Sequence, residues 1–138
     1  MHRFLPSLLL LPALCACAVH TPPITNADLK AAREAIPPVS ESAADDAAAE
    51  AVKGILKDPD SAKLSYFPMQ RGAFRFGDTL MTGFFVCGTV NAKNSYGGYV
   101  GQRVFFAHLA ETIPTFATAL IDSGDGTIAQ LCSSIVKA

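Results

Sequence analysis

The sequence predicts an α+β domain: an N-terminal helix, an antiparallel meander sheet of three to five strands, and a C-terminal helix tied to the sheet by a disulfide. Three observations lead there. Apolar residues recur at helical spacing over residues 44–56 and again over 128–135. Between them lie aromatic and β-branched runs separated by Gly- and Asn-rich turns. Two cysteines, Cys87 in a strand-like run and Cys132 on the last helical face, are left to pair once the N-terminal cysteines are assigned elsewhere.

The chain opens on a leader pattern. His2 and Arg3 precede an apolar run over residues 4–14, interrupted by Pro6 and Pro12. A spanning helix needs about 20 apolar residues, so the run reads as the core of a signal peptide covering residues 1–16. Leu14-Cys15-Ala16-Cys17 resembles the bacterial lipobox. That resemblance implies cleavage before Cys17, a lipid on its sulfur, and retention at the inner leaflet of the outer membrane, since Ala18 rather than Asp follows. Ordinary cleavage at the Ala16-Cys17-Ala18 site is the alternative and would give a soluble periplasmic or secreted protein.

Residues 17–41 read as a lipid-anchored flexible tether and 42–138 as the compact domain. Residues 18–50 hold two basic and six acidic residues, four prolines and no aromatic. Within them Thr25-Asn26-Ala27-Asp28 caps a short helix that must stop before Pro37-Pro38. Ten residues are marginal as an isolated helix in water. Ser42-Ala43-Ala44-Asp45 offers a second start, and Ala44, Ala48, Ala51, Val52, Ile55 and Leu56 line one face of a helix expected to end near Lys57.

Asp58-Pro59 marks a new cap with proline at the first position, hence a tight turn. A short strand follows over residues 63–68, and Phe74-Arg75-Phe76 forms half of a hairpin or loop near Gly77-Asp78. Residues 82–91 are apolar on both faces, which predicts a central strand covered on both sides. Residues 99–109 and 114–121 supply two more strands, with the turn-rich segment 92–98 joining the first pair. Thr127-Ile128-Ala129-Gln130 has the capping-box pattern, and Ile128, Leu131, Cys132 and Ile135 share the face of the closing helix.

An exported chain with Cys87 and Cys132 remaining is most simply disulfide-bonded. The bond closes a loop of about 46 residues, worth about 4 kcal/mol in the chain-entropy model. The catalytic alternative, a nucleophilic Cys87 with His108 as base, is removed by that pairing.

Two segments resemble a known family. Leu56-Lys57-Asp58-Pro59-Asp60-Ser61-Ala62-Lys63 is similar to its KDPDSAKF segment. Residues 86–101 are similar to its VCGxVNAKNSxGGYxG segment. The family comprises small exported bacterial proteins, many of them lipoproteins. The resemblance spans about residues 50–110 and implies location and domain type but no reaction. This chain departs at Leu64, where Phe is expected, and at Thr89, where Glu is common.

The second segment holds the candidate binding residues: Lys93, Asn94, Ser95, Tyr96, Tyr99 and Arg103. They combine cations, hydrogen-bonding groups and aromatic rings in a connection where Gly97, Gly98 and Gly101 permit unusual backbone angles. The plain alternative is a hairpin turn whose Asn and Gly serve backbone geometry alone.

Other chemistry fails on its own pattern. With 11 Lys and Arg against 12 Asp and Glu, the chain lacks the excess of positive charge that phosphate neutralisation needs, so a nucleic-acid partner is not expected. The Gly83-Phe84-Phe85-Val86-Cys87-Gly88-Thr89 run has the glycine spacing of a P-loop but no Lys. Asp122-Ser123-Gly124-Asp125-Gly126 resembles a calcium loop, but Gly124 stands at its third position and Ser133 at its twelfth. One domain histidine, His108, cannot build a zinc site. No cofactor motif is present.

These observations predict a non-catalytic binding or accessory module of the cell envelope, meeting the membrane through its lipid and a protein or glycan through the loop. An inhibitor or immunity protein against a cell-wall enzyme is one variant. An envelope hydrolase using His108 with Asp58 or Asp60 is the alternative from a different class.

Overall fold

A computed structural model describes residues 23–76, 79–110 and 117–136. The signal segment, Cys17 and its anchor, the Gly77-Asp78 turn and the start of the strand expected from residue 114 lie outside these residues.

The described chain runs α1 (Asn26–Ala35), α2 (Glu41–Lys53), a 3-10 turn (Pro59–Ser61), β1 (Lys63–Tyr66), β2 (Gln70–Phe76), β3 (Thr79–Asn91), β4 (Arg103–Leu109), β5 (Ala117–Ile121) and α3 (Thr127–Val136). The expected α+β class holds, with five antiparallel strands and the C-terminal helix bonded to the sheet. Strand β3 is the axis. Along one side it pairs β2 through Phe76↔Thr79 to Gln70↔Phe85 and then β1 through Tyr66↔Gly88 to Lys63↔Asn91. Along the other it pairs β4, and β4 pairs β5, which ends the sheet.

Side chains alternate across a strand, so β3 and β4 feed two cores. Phe84, Val86, Val90, Phe105, Ala107 and Leu109 face Ala44, Ala48 and Val52 of α2. Phe85, Cys87 and Phe106 face Cys132 and Ile135 of α3. The expectation of a doubly covered central strand is met. Full burial of side chains such as Phe84 and Phe105 contributes about 1.5–3 kcal/mol each. The Cys87–Cys132 disulfide spans a Cα–Cα distance of 6.0 Å and joins the mid-point of β3 to α3.

Several boundaries move. Helix α1 forms with the expected Thr25–Asp28 capping box, but it is not part of a free tether. The Arg33 Nε donates to the Ala73 carbonyl and the Arg71 guanidinium to the Ile36 carbonyl, both at 3.4 Å. Ile36 is fully buried in the α2-side core. The packed unit therefore takes in residues upstream of the expected boundary at residue 42.

Helix α2 starts two residues earlier than its internal Ser42 suggests. Ser40 is the cap, accepting the Ala43 N–H at 3.3 Å. It ends at Lys53 because the chain turns at Gly54, and Ile55, expected on the apolar face, swings outward. The strand expected from residue 99 begins only at Arg103, because Tyr99 makes a single bridge to Lys93 and Gly101 takes a positive φ.

Candidate functional site

The segments at residues 56–63 and 86–101 meet at one end of the sheet. Ser61 is the joint. Its hydroxyl donates to the Asp58 carbonyl at 2.8 Å and accepts the Lys93 N–H at 2.9 Å. The Asp58 carboxylate accepts the Ser61 N–H, so the Asp-Pro-Asp-Ser turn is capped as its sequence requires. The Tyr99 hydroxyl donates to the Ser61 carbonyl at 3.4 Å.

Above that joint the Tyr99 ring takes two ammonium groups, Lys63 Nζ at 4.7 Å and Lys93 Nζ at 5.7 Å from its centroid. Such contacts are worth about 0.5–1 kcal/mol each at exposed positions. The turn itself is built by Asn94. Its Oδ1 accepts the Tyr96 and Gly98 N–H groups at 3.0 and 3.1 Å, and its backbone accepts Gly97 and donates to Gly98. Gly97 sits at φ +81°, the left-handed conformation that closes the turn. Gly98 needs no such angle. Asn94 is thus a structural residue of the loop, as the plain alternative held for the Asn and Gly positions.

Tyr96 is different. It stands 97% exposed at the tip, and Ser95 beside it is exposed as well. Next to the loop opens a cleft of about 440 Å³, whose lining includes neither of them. Lys93, Asn94 and Arg103 from the expected set line it, together with Lys57. Its apolar wall comes from Ile55, Val100 and Leu120, which are 53%, 48% and 46% exposed. Val90 and Ile121 supply part of the floor. No Asp or Glu belongs to the lining, and among the described residues no carboxylate lies within ion-pair distance of Lys57, Lys93 or Arg103.

Three of the six expected loop residues, Lys93, Asn94 and Arg103, therefore line this cleft, but sequence reasoning missed the rest of its wall. Ile55 reads as part of the buried helical face, yet it is exposed, whereas Leu56 does pack against the α2-side core; residues 114–121 read only as a further strand, with nothing to mark them as a cleft wall. Only the helix stop at Gly54, with Lys57-Asp58-Pro59 turning the chain, hints that Ile55 is free to leave the core.

The alternative catalytic set does not assemble. His108 lies on β4 opposite Phe85, with its ring stacked on Phe85 at 5.1 Å and Nε2 2.8 Å from the Thr82 carbonyl oxygen. Asp58 and Asp60 belong to the turn before Lys63, which pairs with Asn91. Six positions of β3 separate those registers, about 20 Å at 3.3 Å per residue. Cys87 is consumed by its disulfide. Among the described residues no group of three or more His, Cys, Asp and Glu side chains is placed to hold a metal ion, and no helix is long and apolar enough to cross a membrane.

Compared with protein-family models, curated proteins and solved structures, the chain matches none.

Proposed function

We propose that the chain is a non-catalytic binding or accessory module of the bacterial cell envelope. In this reading it is exported by the leader at residues 1–16 and held by a lipid on Cys17 at the inner leaflet of the outer membrane. It meets a protein or glycan partner through Lys93, Tyr96, Tyr99 and Arg103 and through the cleft that Lys93 and Arg103 line. One observation carries the reading: among the described residues, exposed apolar side chains and cations without a carboxylate partner converge on one surface, while His108 and the Asp58 and Asp60 carboxylates stay apart. The disulfide supports an oxidising compartment, where such bonds persist. An inhibitor or immunity protein for a cell-wall enzyme is the same reading with the partner specified.

Affinity capture of the full-length protein from its native envelope tests it. Tyr96→Ala and Arg103→Glu should lose the captured partner while keeping the unfolding midpoint. Phe67→Ala, an exposed apolar position outside this surface, should keep it. Capture unaffected by the first two variants, or turnover of a cell-wall substrate abolished by His108→Ala, would overturn the proposal. The anchor has its own check: Cys17→Ser should move the protein from the membrane fraction to the soluble one.

A further inference from the structure

Among the described residues, strand β5 is an unguarded sheet edge. The Asp122 N–H donates to the Val104 carbonyl at 2.8 Å, which fixes the phase of the β4–β5 ladder. Residues two apart in an antiparallel strand point their backbone groups the same way. Thr118 and Leu120 therefore bond to β4, and Ala117, Ala119 and Ile121 turn their N–H and C=O groups outward. Among the described residues nothing bonds to them.

Edges left open are pairing templates, and proteins usually block them with charges, proline or a covering element. The opposite edge of this sheet is treated that way. Helix α1 lies against β2, and Arg33 occupies the outward Ala73 carbonyl, with Arg71 beside it. Strand β1 carries Lys63. Strand β5, Ala-Thr-Ala-Leu-Ile, has no charge and no proline.

The same strand forms one side of the cleft through Ala119, Leu120 and Ile121. An open row of backbone groups beside an apolar slot rimmed by Lys57, Lys93 and Arg103 specifies a ligand with a backbone of its own, an apolar side chain and a negative charge. We infer that β5 accepts an extended peptide strand whose apolar side chain enters the cleft and whose carboxylate meets these cations. The inference rests on the binding-module reading and deepens it by naming the ligand class. A second copy of the chain fits less well, because the helix that covers β5, α2, is itself acidic (Glu41, Asp45, Asp46, Glu50), and a two-fold pairing would bring two such helices side by side.

A displayed library of random short peptides, selected on the full-length protein, supplies the probe. Enriched sequences should alternate apolar residues and carry Glu, Asp or a free C-terminal carboxylate. The best synthetic peptide should weaken at least about tenfold when its carboxylate is replaced by an amide or when alternate amides are N-methylated, which blocks strand pairing without changing charge. Ala119→Pro removes one outward N–H and leaves the β4 ladder intact, so it should abolish binding at an unchanged unfolding midpoint. Arg103→Glu should weaken it by reversing the charge.

Overturning results are equally definite. They are no enrichment, enrichment untouched by Ala119→Pro, binding only to phosphatidylglycerol vesicles, or a concentration-dependent dimer that Ala119→Pro dissolves. If any of these occurs while Tyr96→Ala and Arg103→Glu still lose the captured envelope partner, strand addition fails and the binding-module reading stands. If capture is also unaffected, both fall.

Discussion

The Ser61 hydroxyl oxygen lies 2.9 Å from the Lys93 backbone nitrogen and accepts its hydrogen bond across 32 positions of sequence. This contact, with the Ser61–Asp58 and Tyr99–Ser61 bonds, locks the turn before β1 to the loop after β3. Removing the hydroxyl leaves the partly buried Lys93 N–H without its acceptor. Ser61→Ala should therefore cost about 1–2 kcal/mol in urea unfolding. Amide hydrogen exchange should also accelerate at Lys93 and Tyr99 and not in α3. Unchanged exchange there would show that the loop holds its shape without the joint.

Gly88 has no room for a side chain. A Cβ there would collide with the Ser65 carbonyl oxygen of β1 and come within 2.7 Å of the Phe105 ring. That ring is itself held edge-on by Tyr66 at 6.0 Å. Neither backbone nor ring has space to retreat in the α2-side core. Gly88→Ala should destabilise by about 3 kcal/mol or more, or prevent folding, whereas Gly124→Ala, with open space around it, should act only through its positive φ. Thermal unfolding of the two variants separates close approach from backbone conformation.

Asp45 tests the electrostatics of α2. Partial burial, then Glu41 and Asp46, hold its carboxyl above the usual Asp range. A raised carboxyl pKa favours the folded state while the group is protonated, and that advantage is lost as pH rises through the folded pKa. Asp45→Asn should therefore raise the unfolding midpoint at neutral pH and have less effect below about pH 4, where the unfolded chain's Asp is protonated too. The Tyr66 phenol gives a second readout. Burial, then Asp45 and Asp46, push its pKa up. In Asp45→Asn the ultraviolet titration of Tyr66 should move back toward the ordinary tyrosine range.

Most of the fold was legible because local and global signals agree here. The two-sided apolarity of residues 84–90 announced a strand between two cores, and Ala44, Ala48 and Val52 announced the helix covering one of them. The Cys87–Cys132 bond followed from elimination of the other cysteines. What stayed hidden depends on contacts distant in sequence. The docking of α1 rests on Arg33 and Arg71 reaching carbonyls about 35–40 positions away, which no periodicity encodes. The loop residues were readable as a group, but the cleft beside them was not. It exists because Ile55 leaves the α2 face after Gly54 and because β5 ends the sheet, and both are tertiary facts.

The start of α3 shows the same conflict on a smaller scale and yields the sharpest test. Thr127-Ile128-Ala129-Gln130 has capping-box spacing, yet Thr127 is the first helical residue, and the Gln130 N–H donates to the Gly126 carbonyl at 3.0 Å. The cap is Asp122, whose two oxygens accept the Gly126 and Ile128 N–H groups at 3.3 and 3.4 Å, helped by Asp125 accepting Thr127 at 3.0 Å. The calcium-loop-like run is thus a capping turn that uses its carboxylates on helix N–H groups. Asp122→Ala should cost about 1–2 kcal/mol and Thr127→Ala only a few tenths. Because Cys132 anchors α3 one turn further on, the loss in Asp122→Ala should appear first as faster exchange at Gly126 and Ile128. Reducing the disulfide removes that anchor, and the same variant should then release the whole helix from Phe85 and Phe106. If Thr127→Ala proves the more damaging of the two substitutions, the Asp122 cap is not what starts this helix.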